Sequence, residues 1–334
     1  MLGAIMKHKL PTLAILALLP TLLACATGTG SEATRTNPAE DAAGTAATME
    51  EESYVEVGEA RSGEPVRLYH RILGNGPEIV IKPNAVQTGD EIERLVEGRR
   101  IVLYDARGRG RSTHYSEDLP VGMEIDLEDL EALRRHLGAE TVSLMGGSYY
   151  GSLVARYAAR YPEHVNKVVL LGPMTIDQET WAKFQMDRLG GEVNQALTEL
   201  LRRGPRDGNL EAFCHEYYRI AAKNLFADPE LAAAYEPDYC DLPNEQPPSF
   251  LDWIGDLFET IENWDFRDEA AKIEAPVLVI QGLQDAQVPP KGGQVWAETI
   301  PNARLVEVPE TGHLPLEESP DVVVPEIEEF LAEE

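Results

Sequence analysis

The sequence predicts an α/β protein: a doubly wound, mostly parallel sheet interrupted by one all-helical insertion. Three observations carry this expectation. Short β-branched runs alternate with stretches of helical periodicity from Tyr54 to the C-terminus. Most of these runs are continuously apolar, as strands buried on both faces of a parallel sheet must be. One long stretch, from Met174 to Lys272, contains no strand candidate at all.

The first residues stand apart from this pattern. Lys7, His8 and Lys9 precede an apolar run from Leu10 to Ala24, broken only by Pro11, Thr12, Pro20 and Thr21. That length and those flanks suit a secretory signal rather than a membrane span. The run ends in Leu22-Leu23-Ala24-Cys25, which resembles the lipobox of bacterial lipoproteins. The resemblance implies lipidation of Cys25 and a place in the bacterial cell envelope. Because Ala26 rather than Asp follows, it implies the outer membrane in a Gram-negative cell. Residues 1–24 are therefore expected to be a signal peptide. Residues 25–52, made of Ala, Thr, Gly, Ser and Glu without apolar periodicity, are expected to be a flexible tether.

The folded part opens with "YVEVG" and "VRLYHR", alternating runs bounded by glycines, as in an antiparallel pair. Strands are then expected at Glu78–Lys82, Arg100–Asp105, Thr141–Gly146, Lys167–Pro173, Pro276–Gly282 and Ala303–Pro309. Between the second and third of these, Leu127, Leu130, Leu133 and Leu137 recur on one helical face and Gly138 stops the helix. A further helix follows Ser148 and ends before Pro162. "QVWAETI" separates the last two strands, and "PDVVVPEIEEFLAEE" closes the chain. Residues 53–173 and 273–334 thus make the sheet core. Residues 174–272 read as a helical cap over the C-terminal strand ends, where ligands bind in such sheets.

Bulk composition narrows the function. The 334 residues are 43% hydrophobic, and 58 acidic residues against 29 basic give a net charge of −29. A phosphate backbone repels such a surface, so nucleic-acid binding is disfavoured. An acidic, lysine-poor surface fits either simple solubility or salty surroundings. Cys214 and Cys240 remain after Cys25. In an oxidising compartment they form a disulfide or stay as two buried thiols, and spacing alone leaves both open.

The chemistry centres on "LMGGSYYGSLVARYA". A strand ends, two glycines turn, and a helix begins with Ser148 at the bend. This is the setting of a nucleophile elbow, G-x-S-x-G, except that Tyr150 holds the last glycine position. Asp285 follows the strand "PVLVIQG" and His313 follows "ARLVEVP". A serine hydroxyl needs a base, and the imidazole needs a carboxylate to fix its tautomer. Asp177, after the earlier strand, is the fallback acid. The other histidines show no metal-ligand spacing, and no metal or organic cofactor is implied.

The segments "DARGRGRS", "DLEALRRHLG", "MGGSYYGSLVARYAARYPEHVNKVVLLGP", "PVLVIQGLQDAQVP" and "GHLPLEESP" occur in this order. From Ser53 onward the chain resembles the α/β-hydrolase superfamily, and within it the proline iminopeptidase-type and related esterase branch. The resemblance implies a Ser148–Asp285–His313 triad that cleaves an ester or amide of a small molecule or short peptide. It also implies an oxyanion hole of two backbone N–H groups, from Tyr149 and from the loop after "EIVI". There Lys82-Pro83 stands where relatives carry His-Gly, which leaves Asn84 as the donor. "DARGRGRS" is implied to be a structural turn. The unusual loop keeps a non-catalytic surface binding protein on the same fold as the rival. A proline iminopeptidase-like aminopeptidase is the more specific alternative. Such enzymes hold a free amino terminus with cap carboxylates, for which Glu192, Glu211, Glu216, Asp252, Asp256 and Glu259 are candidates. Trp181, Phe213, Tyr217, Tyr218, Trp253, Phe258 and Trp264 either line a pocket or form the core of the cap. Pro162 keeps its usual distance from Ser148. Tyr150 is therefore expected to be a substitution within an unshifted elbow, packed behind the nucleophile.

Overall fold

A computed structural model of the chain describes residues 50–188 and 191–333. The signal segment, Cys25 and most of the tether lie outside the described residues. Eight strands among the described residues form one sheet. They are β1 (Glu50–Glu59), β2 (Pro65–Leu73), β3 (Glu78–Pro83), β4 (Arg99–Tyr104), β5 (Val142–Gly147), β6 (Val165–Pro173), β7 (Val277–Gly282) and β8 (Ala303–Val308). The spatial order is β1-β2-β4-β3-β5-β6-β7-β8. β2 pairs antiparallel with β1 and β4, and every other pairing is parallel. The central strands are mostly apolar because both their faces are buried.

The tether boundary needs correction. β1 begins at Glu50, and Glu51 and Glu52 pair with Ile72 and Arg71. The Glu52 carboxylate accepts a 2.7 Å hydrogen bond from the Tyr69 hydroxyl. A strand at the sheet edge needs little apolar content, so acidic composition hid its first residues.

The helices of the core are α1 (Met123–His136), α2 (Ser148–Arg160), α9 (Lys291–Thr299), α10 (Pro315–Glu318) and α11 (Pro320–Ala332). Between β6 and β7 run α3 (Gln178–Arg188), α4 (Glu192–Arg203), α5 (Leu210–Leu225), α6 (Pro229–Ala234), α7 (Ser249–Glu259) and the short α8 (Arg267–Ala270). No helix of the described residues is long and apolar enough to cross a membrane. Cys214 and Cys240 are bridged, with Cα atoms 5.6 Å apart, and the bridge ties α5 to the turn at Asp238–Asp241. The seven aromatic residues named above are all buried, between 1% and 6% exposed. They pack mainly against one another and neighbouring rings, as the core of the cap.

Candidate active site

The elbow is built by sterics. Ser148 sits at φ 50°, in the left-handed region that a side chain enters only when its surroundings impose it. The turn is tight enough that a Cβ on Gly146 would lie 2.3 Å from the Tyr150 carbonyl oxygen, so only glycine fits there. Tyr150 does not disturb this arrangement. Its side chain is 1% exposed and stands edge-to-face with Tyr149, ring centroids 5.2 Å apart. Tyr150 and Ser148 both belong to the lining of one cleft. Tyr149 is the second residue of α2, and its hydroxyl donates a 2.7 Å hydrogen bond to buried Asp126.

Asp285 and His313 meet at the C-terminal ends of β7 and β8. The Nδ1 of His313 lies 2.8 Å from the Asp285 Oδ2, and both residues are buried. Three further donors hold the carboxylate: the Gln287 and Val288 N–H groups at 2.7 and 3.0 Å, and the Gln281 Nε2 at 3.0 Å. Asp285 therefore presents one fixed oxygen to the imidazole. Asp177 is elsewhere, accepting from the Thr180 N–H at the head of α3. The backbone N–H of His313 donates 2.7 Å to Leu225 O at the end of α5, so the cap touches the histidine loop directly. That approach requires Gly312, where a Cβ would meet Leu225 O at 2.5 Å.

The cleft that joins Ser148 to His313 is also lined by Lys82, Pro83, Asn84, Leu314 and Glu317. Its free space is about 20 Å³, roughly the room of one water molecule. Asn84 is buried with φ 74°, in the loop after β3. Lys82 braces that loop. Its ammonium donates 2.7 Å to Thr88 Oγ1, which in turn donates 2.8 Å to the Asn84 carbonyl. Asp105 adds a second tie, accepting from the Val86 N–H at 2.7 Å and the Arg111 N–H at 3.0 Å. Burial pushes its pKa up to about 6.

One pairing escaped sequence reasoning. Arg109, in the "DARGRGRS" turn, reaches into the cap and makes a two-pronged ion pair with Glu245, at 3.0 and 2.7 Å. Both side chains are fully buried, and the guanidinium stacks on Trp253 and Phe250. The partners are 136 residues apart, and no local pattern in "DLPNEQPPS" marks Glu245. The six cap carboxylates named from sequence are exposed or half-buried, and none lines the cleft.

A bent-out serine and a carboxylate-bound histidine at the C-terminal ends of a parallel sheet are the layout of an α/β-hydrolase. The family model described as the alpha/beta hydrolase fold matches residues 82–320, and the chain belongs to that family. Among similar proteins is a proline iminopeptidase from Clostridium botulinum, 24% identical over 79% of this chain and 94% of its own length. Another is a pimeloyl-[acyl-carrier protein] methyl ester esterase from Chromobacterium violaceum, 28% identical over 75% of this chain and 92% of its own. The fold matches a thermophilic esterase from Thermogutta terrifontis with a TM-score of 0.61 and 22% identity, covering 84% of this chain and 98% of that one. The protein is an α/β-hydrolase with relatives of the proline iminopeptidase type.

Proposed function

We propose that this α/β-hydrolase is a serine esterase working through an acyl-enzyme. The observation that carries the reading is the 2.8 Å Asp285–His313 contact beside an elbow serine at φ 50° in one cleft. Ser148 Oγ attacks the ester carbonyl while His313 Nε2 takes its proton. Asp285, on Nδ1, holds the tautomer and stabilises the imidazolium. The backbone N–H groups of Asn84 and Tyr149 receive the negative charge on the carbonyl oxygen. His313 then returns the proton to the departing alcohol, and a water, activated by the same imidazole, releases the acid.

Aminopeptidase action is the second reading, favoured by the proline iminopeptidase relatives. The cap argues for esters instead. A free ammonium needs an unclaimed carboxylate. Among the described cap residues the buried carboxylate is Glu245, and it is already matched by Arg109. Assaying p-nitrophenyl esters beside proline-naphthylamide separates the two. Ester turnover without amide turnover is expected, and preferential release of proline overturns the assignment. We also propose that Cys25 carries a lipid anchor holding the enzyme in the bacterial cell envelope. Metabolic labelling with palmitate, lost in C25S, is the expected result; labelling that survives C25S refutes it.

A further inference from the structure

The polar groups around Tyr150 are not all satisfied. The Tyr150 hydroxyl and the Arg109 Nη1 are both buried without a hydrogen-bond partner, as is the Asn84 Oδ1. Arg109 uses Nε and Nη2 on Glu245 and keeps Nη1, which can only donate. Burial drives the Tyr150 pKa above the ordinary tyrosine range, and of the charges around it Arg109 acts most strongly, in the opposite direction. An unmet buried donor is costly, whereas one that meets an acceptor in a dry site contributes strongly. Tyr150 also replaces the glycine of the usual elbow pattern, so the cleft that it lines with Ser148 has a phenol side chain where that pattern has none.

We propose that the Tyr150 hydroxyl is a specificity-determining donor that reads an oxygen on the substrate close to the scissile ester. The substrate class is then an ester whose acyl or alcohol part carries a carbonyl, ether or carboxylate oxygen, rather than a plain alkyl ester. This rests on Ser148 being the nucleophile. Replacing the phenol by phenyl in Y150F removes only the hydroxyl, and it relieves a buried unpaired group, so the fold is kept.

The test uses two matched pairs with purified wild type and Y150F. On the acyl side, p-nitrophenyl levulinate is set against p-nitrophenyl valerate. On the alcohol side, 2-methoxyethyl butyrate is set against butyl butyrate. The readout is the kcat/KM ratio within each pair, which a purely structural role would not move. In one pair the oxygen-bearing ester loses on the order of tenfold relative to its partner in Y150F. Fluorophosphonate labelling at Ser148 is followed in parallel. Labelled wild type with unchanged ratios in both pairs, or with no hydrolysis of any of the four esters, overturns this inference alone; unchanged ratios mean that the hydroxyl serves a buried water. Wild type that neither labels nor hydrolyses overturns the nucleophile assignment with it.

Discussion

Asp126 makes the stability of this protein depend on pH in a direction opposite to ordinary acid denaturation. It lies in the first turn of α1, 3% exposed, and accepts the Tyr149 hydroxyl. Burial, and next the charge of Asp129, push its pKa from 3.8 up to about 7. The folded chain therefore keeps a proton that the unfolded chain releases, and this contribution to stability falls as pH rises from 3.8 to 7. Each pKa unit is about 1.4 kcal/mol. Between pH 5 and pH 8 only the interval up to about 7 counts, which makes about 2.7 kcal/mol. Asparagine cannot ionise yet still accepts from Tyr149. D126N should thus gain about 2–3 kcal/mol on wild type between pH 5 and pH 8. Urea unfolding followed by tryptophan fluorescence at both pH values measures the gap. Asp105 titrates in both proteins and cancels. An unchanged gap, or D126N losing ground at pH 8, would show that Asp126 is comfortable as a carboxylate and refute the reasoning.

Other outcomes follow from the same contacts. D285N should cut kcat by about 10⁴-fold by favouring the wrong imidazole tautomer, whereas D177N should stay within about threefold of wild type because Asp177 only caps α3. Reversal of that ranking in steady-state assays would move the acid to the fallback position. E245A strands the fully buried Arg109 cation; it should lose about 3–5 kcal/mol of stability, and R109M/E245L should recover most of it. The Cys214–Cys240 bridge closes a separation of 26 residues. Loop-closure entropy then gives about 3.5 kcal/mol, read as the drop in unfolding free energy of C214A/C240A.

The parts of this fold that were legible in sequence are those set by local pattern. β3 to β7 could be placed because strands covered on both faces are mostly apolar, and the edge strand β8 because Leu305, Val306 and Val308 form a short, mostly β-branched run. The elbow, Asp285 and His313 could be placed because each follows such a strand directly. Contacts that join distant segments left no such trace. Arg109 looks like one more charge in a basic turn, and Glu245 like one more acid in an acidic chain. Only the fold brings them together across 136 residues. The Lys82–Thr88–Asn84 brace was hidden for a related reason. The pattern shows that His-Gly is missing, but not that an ammonium two residues before Asn84 holds its carbonyl through a threonine. Tyr150 was legible as an anomaly, and its place in the cleft wall beside Ser148 emerged only from the packing.

The central claim is that Ser148 is a nucleophile activated by His313. Labelling by a fluorophosphonate probe, resolved by peptide mapping, tests it most directly. Wild type should label rapidly on the peptide containing Ser148, S148A should not label, and H313A should label far more slowly. Wild type labelling no more than S148A would contradict the claim and leave a binding protein on a hydrolase fold.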